Sequence, residues 1–123
     1  MATEKKIFEK FSKYGFEIGN EFYLQAQRVN SFIESCISQG VAILGVEGFA
    51  QIDHGKFQGL PIFQEFKSTF NTWPEYCVEC DMQARSFFQN KTFPDDIYFN
   101  FTVVDKISWL NLQKTKITWN KKL

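Results

Sequence analysis

The sequence predicts an α+β fold, with a largely antiparallel sheet of three to five strands packed on one side by about three helices. Three observations predict it. Apolar residues recur at helical spacing early in the chain and again from Cys77 to Phe88, and strictly alternating residues follow from Ile97. The longest apolar run, Val41 to Val46, has the length of a strand. The 123 residues make one domain, 1–123, with 44% hydrophobic and 23% charged residues. Fifteen are Phe, which combines good strand propensity with a large apolar area, so a modest sheet can bury a thick core.

The elements follow in order. Ile7, Phe8, Phe11 and Tyr14 predict a first helix over Thr3–Tyr14, with Gly15 as its left-handed cap. Phe16–Gly19 is a short extended connection. Asn20 is a good N-cap for a second helix, running to Gln39 with Leu24, Val29, Phe32, Ile33, Cys36 and Ile37 on its buried side and Gly40 ending it. A strand begins at Val41. Asp53-His54-Gly55 is turn chemistry, Gly59-Leu60-Pro61 a loop, and Ile62, Phe63 and Phe66 fit a short helix. Thr72 and Glu75 have the spacing of a capping box, with Pro74 in the first turn of a helix that runs to about Gln89. Cys77, Cys80, Ala84, Phe87 and Phe88 form its buried stripe, and Arg85 is the expected partner of Asp81 one turn back. Pro94-Asp95-Asp96 is a turn into the strand Ile97–Val104. Asp105-Lys106 then connects to a last strand, Ile107–Trp119, with Lys114, Thr115 and Lys116 toward water. Helices come first and strands last.

The chain is expected to be a non-exported, cytoplasmic protein, since no membrane-length apolar run occurs and no signal-type apolar segment follows the charged first residues. Three cysteines, an odd number, fit reduced thiols better than a disulfide framework. Formal charge is zero overall, but it is unevenly placed. Residues 1–28 carry four acids and five bases, residues 29–96 nine acids and four bases, and residues 97–123 one acid and five bases. An acidic middle repels nucleic acid and steers basic proteins.

Cys77-x-x-Cys80 lacks the second ligand pair of a structural zinc site and stands inside a helix, so both thiols read as small apolar residues of the stripe. His54, the sole histidine, reads as a turn residue because no nucleophile motif accompanies it. Gly45-Val46-Glu47-Gly48 lacks the lysine and helix of a phosphate loop. No catalytic residue, metal or cofactor is assigned. Glu75 and Glu79 form an acidic ridge, and Asp95 and Asp96 lie at the far end of the same element.

The segment from Val41 to Ala50, followed by Pro61, Glu65, Phe66, Trp73, Pro94 and Asp95, resembles small bacterial immunity proteins of polymorphic and contact-dependent growth inhibition toxin systems. The shared features are an apolar strand ending in Glu47-Gly48-Phe49, a Pro-containing loop, a helix opening at a Trp, and a Pro-Asp turn into a Phe/Val-rich strand. They span about residues 32–104. The resemblance implies a non-enzymatic protein that neutralises a cognate toxin domain, often a nuclease, by stoichiometric binding. Complementary charge would place Glu47, Asp53, Glu75, Glu79, Asp95 and Asp96 at the toxin, with Trp73, Tyr76 and Tyr98 as candidate anchors. The chain would be a monomer or a weak dimer. One alternative is a small-ligand-binding or enzymatic α+β domain with His54 in a cleft. Another is a nucleic-acid-binding module using Trp109, Lys114, Lys116 and Trp119 of a basic C-terminal strand.

Overall fold

The computed structural model describes the backbone of residues 3–122 and the side chains of residues 5–114. Helix α1 (Thr3–Lys10) buries Ile7, and Phe11 follows at its end. A 3-10 turn over Ser12–Tyr14 leads to a hairpin of β1 (Gly15–Ile18) and β2 (Glu21–Gln25). Helix α2 (Val29–Gln39) buries Val29, Phe32, Ile33 and Cys36, one stripe at helical spacing. Gly40 ends it at φ 69°, with the Val41 N–H bonded to the Cys36 carbonyl at 2.9 Å. Then come β3 (Ala42–Asp53), β4 (Lys56–Glu65), α3 (Trp73–Phe88), β5 (Ile97–Val104) and α4 (Lys106–Lys122).

The five strands form one antiparallel sheet in the order β1-β2-β5-β3-β4. The α+β class stands as expected. The helices cover one face. Phe8 of α1 meets Phe22, Phe32 of α2 packs on Phe101, and Phe88 of α3 packs on Phe99 and Phe101. Val46 and Gly48 of β3 lie opposite Phe101 and Phe99, so they point into this core as well. Gly48 is small for a reason: a Cβ there would stand 2.9 Å from Ile62 Cβ.

Five expectations are corrected. The first helix stops at Lys10, and Gly15 is extended at φ −173°. Its lack of a side chain serves the β1–β2 ladder, where a Cβ would collide with the Tyr23 carbonyl. Asn20 starts no helix; it follows Gly19 (φ 61°) in the hairpin turn, and residues 21–25 alternate as a strand. Gly59-Leu60-Pro61 and the short helix after it are instead the continuous strand β4. Pro61 is tolerated because β4 is an edge strand. Residues 107–119 are helical, not a strand. Asp105 caps α4, its Oδ1 accepting the Ser108 N–H at 2.9 Å, and Trp109 anchors the helix against Trp73 and Tyr76. Two strands precede α2, so helices and strands are interleaved along the chain. The side chains of Thr115, Lys116 and Trp119 lie outside the described residues.

Candidate functional site

Among the described residues no helix covers the second face of the sheet, yet that face is not polar. Along β5, Tyr98, Asn100 and Thr102 point to this face, away from the side on which Phe99 and Phe101 meet the helices. Tyr98 lies opposite Phe49 in β3, and Phe16 lies opposite Tyr23 in the β1–β2 hairpin. With Phe57 of β4 they make a second aromatic cluster, separate from the core. Phe57 stacks on Tyr23 with ring centroids 4.6 Å apart and meets Tyr98 edge-on at 5.0 Å. Tyr23 meets Phe49 edge-on at 4.9 Å, and Phe16 contacts Phe57 at 5.6 Å, Tyr98 at 5.8 Å and the His54 ring at 5.0 Å. Tyr98 is 5% exposed at the centre, and the other four aromatics are half-buried around it.

These contacts reveal the shape of the sheet. β1 and β4 are the outermost of five strands and would be about 19 Å apart if the sheet were flat. Their Phe16 and Phe57 rings nonetheless touch, so the sheet curls over this face. The β3–β4 arm runs past the end of β5, whose first pair is Ile97 with Ala50, and brings His54 onto β1. The result is a shallow aromatic platform. Glu47 is exposed on this face, opposite Asn100 and Phe63; Phe63 is 61% exposed.

The six carboxylates expected at an interface are not gathered in one patch. Glu47 and Asp53 belong to β3, and Asp53 accepts the His54 N–H at 2.8 Å. Glu75 and Glu79 sit on α3, on the other side of the sheet. Glu75 accepts the Thr72 hydroxyl proton, which holds its carboxyl below the usual range; Glu79 is half-buried beside Gln64 and Phe66. Asp95 accepts from the Gln27 amide at 2.8 Å, and the Asp96 carbonyl takes the Gln51 N–H at 2.7 Å, fixing the turn against β3. Of the candidate anchors, Trp73 and Tyr76 pack with Trp109 beside the core, and Tyr98 is the centre of the platform.

At the other end of β5 the sheet opens. β2 pairs with β5 only at Leu24–Phe99 and Gln25–Tyr98. Beyond them Asn100 wedges the strands apart, its Nδ2 donating to the Phe22 carbonyl at 3.2 Å and to Glu21 Oε2 at 2.6 Å. A cleft of about 560 Å³ lies there between α1, the β1–β2 turn and β5. His54 is not among its lining residues.

The buried titratable groups lie elsewhere, in the core. Asp81 is 0% exposed; its Oδ1 accepts the Ile43 N–H at 2.8 Å and its Oδ2 the Cys77 thiol at 3.6 Å. Burial pushes this carboxyl up to about 7, against the opposing pull of the two hydrogen bonds. Burial, with the nearby Asp81 charge, raises the Cys77 thiol to about 12, the Cys80 thiol to about 11 and Cys36 further still. The expected Asp81–Arg85 pair does not form: Arg85 pairs with Glu34 of α2. Among the described residues no group of three or more His, Cys, Asp or Glu is arranged to hold a metal ion.

The platform is hidden in the sequence because Leu24 also fits the stripe of a second helix, which masks the β2 alternation of Phe22 and Leu24 against Tyr23. The one legible signal is Tyr98, which the alternation from Ile97 sets on the opposite face from Phe99 and Phe101. No protein-family model, curated protein or solved structure matches the chain. Among the described residues no helix is long and apolar enough to cross a membrane.

Proposed function

We propose that this chain is an immunity protein that binds a cognate bacterial toxin domain, best matched by a basic nuclease, and neutralises it stoichiometrically. The observation that carries the reading is the helix-free platform. Four half-buried aromatic rings around a buried Tyr98, with Glu47 and Asp53 on the same strand as Phe49, have the anatomy of an interface: rigid aromatic anchors within a polar, acidic rim. Tyr and Phe lose little rotamer freedom on docking, and the surrounding carboxylates complement a basic surface. The resemblance over residues 32–104 supports the same reading.

Co-expression with a pool of toxin domains, scored by growth rescue, tests it. One toxin is expected to be neutralised, and Glu47→Lys together with Phe49→Ala is expected to abolish rescue. The α3 ridge gives a second arm, Glu75→Lys with Glu79→Lys, with melting temperature checked for each variant. Rescue that survives both pairs removes the two surfaces from the interface. Failure to neutralise any toxin domain overturns the reading.

A further inference from the structure

The middle of the sheet contains a stretch of strand edge with no strand beside it among the described residues. β5 pairs with β3 along its whole length, from Ile97–Ala50 to Val104–Ala42, but with β2 only at Tyr98 and Phe99. The Asn100 amide holds β2 away at Phe22 and Glu21. From Asn100 to Val103, β5 therefore turns its second edge into the cleft, over a length of about 13 Å in extended chain. Alternate residues of a strand present their N–H and C=O to the same side, which makes such an edge a template for another strand. The sheet's outer edges are blunted, with β1 four residues long and Pro61 interrupting donation along β4.

The cleft also has a charge. Glu9 of α1, Glu17 of β1 and Glu21 of β2 line it from three elements, against a single lysine, Lys5, and none of the four forms an ion pair among the described residues. Phe8 and Phe101 supply apolar wall. The Asn100 side chain faces the same side as Tyr98.

We infer that the cleft takes an extended basic segment of a protein partner, which adds as a strand to β5 at residues 100–103 while its lysines or arginines meet Glu9, Glu17 and Glu21. The identity of that partner as a toxin rests on the immunity reading; strand addition does not.

The test uses the purified full chain and a displayed library of random peptides. Selection is expected to enrich peptides with Lys or Arg at alternate positions. Bound peptide is expected to slow amide exchange at alternate residues within 100–103. Methylating alternate backbone nitrogens of the peptide, or replacing Glu17 and Glu21 by Gln, is expected to weaken binding by about tenfold or more. The inference is overturned by any of three results: no enrichment, protection elsewhere on the chain, or equal binding of the methylated peptide. It is also overturned if 100–103 are already protected without peptide by a concentration-dependent dimer, since a second copy then fills the cleft. The two readings fail separately. Growth rescue without peptide binding in the cleft leaves the immunity reading intact, and cleft binding without rescue from any toxin leaves strand addition intact.

Discussion

The carboxylate of Asp81, in the middle of α3, accepts the backbone N–H of Ile43 in β3 at 2.8 Å. The bond falls where the register of β3 against β5 shifts, between Ile43 and Gly45, so a side chain satisfies a backbone donor beside an irregularity in the ladder. Among the described residues no cation pairs with the buried carboxyl, and burial dominates its titration.

That arrangement predicts a pH dependence. The Asp81 carboxyl titrates near 7 when folded and near 3.8 when unfolded, so between those values the folded chain holds a proton that the unfolded chain has released. Its contribution to stability is complete below pH 3.8 and is lost as pH rises through about 7. Urea unfolding at pH 5 and pH 8 is expected to show the wild type losing on the order of a few kcal/mol relative to Asp81→Asn, which keeps an acceptor for Ile43. Parallel losses in both proteins would contradict this. Asp81→Ala leaves the Ile43 donor unsatisfied and is expected to cost about 1–3 kcal/mol more than Asp81→Asn.

The three cysteines are expected to be inert in the native state. All are buried and their thiols are held above the usual range, so thiolate is scarce and reagents are excluded. A chromogenic disulfide reagent should label them only as fast as the chain opens, and all three at once in denaturant. Rapid labelling of Cys77 or Cys80 under native conditions would contradict their burial on helix α3.

Gly48 tests the packing of the core face. Gly48→Ala places a Cβ 2.9 Å from Ile62 Cβ and 3.3 Å from Phe99 Cε1, and is expected to destabilise by about 1–3 kcal/mol. Ile62→Gly in the same chain, which removes the clashing Cβ, should recover part of that loss. An additive double variant would mean the strain lies against Phe99 alone.

The platform should behave as a coupled unit. Tyr23→Ala and Phe57→Ala remove the two partners of the stacked pair, and their double-mutant cycle is expected to give about 0.5–1.5 kcal/mol of coupling. Zero coupling would place the rings apart in solution.

Asp105→Ala should fray α4. The substitution removes the acceptor of the Ser108 N–H and is expected to cost about 1 kcal/mol and some helical circular dichroism; Asp105→Asn should retain most of both.

The parts legible in the sequence share a physical character: their signals are local. Gly40 ends α2 because only a left-handed residue closes that cap, and Thr72 stands at the start of α3 as expected, although it bonds the Glu75 carboxylate side chain to side chain and makes no capping-box bond to a backbone N–H. Asp53-His54-Gly55 turns the β3–β4 hairpin by turn chemistry alone, with Gly55 at φ 72°. The β5 alternation was readable because its two faces differ in neighbours as well as in sequence.

What the tertiary structure decided is what local pattern leaves degenerate. Residues 21–25 fit either a helix stripe or a strand, and pairing with β1 and β5 selects the strand. Residues 107–119 fit either as well, and the Asp105 cap with Trp109 docked on Trp73 selects the helix. Asp81 appeared to belong with Arg85 because both stand on one helix, yet β3 supplies its partner and α2 supplies that of Arg85. Composition and local spacing determined the class of fold, the α3 and β5 boundaries and the acidic middle. The curl that joins Phe16 to Phe57, and the gap that Asn100 opens beside β5, depend on contacts between residues 41 and 78 positions apart, which no local spacing encodes.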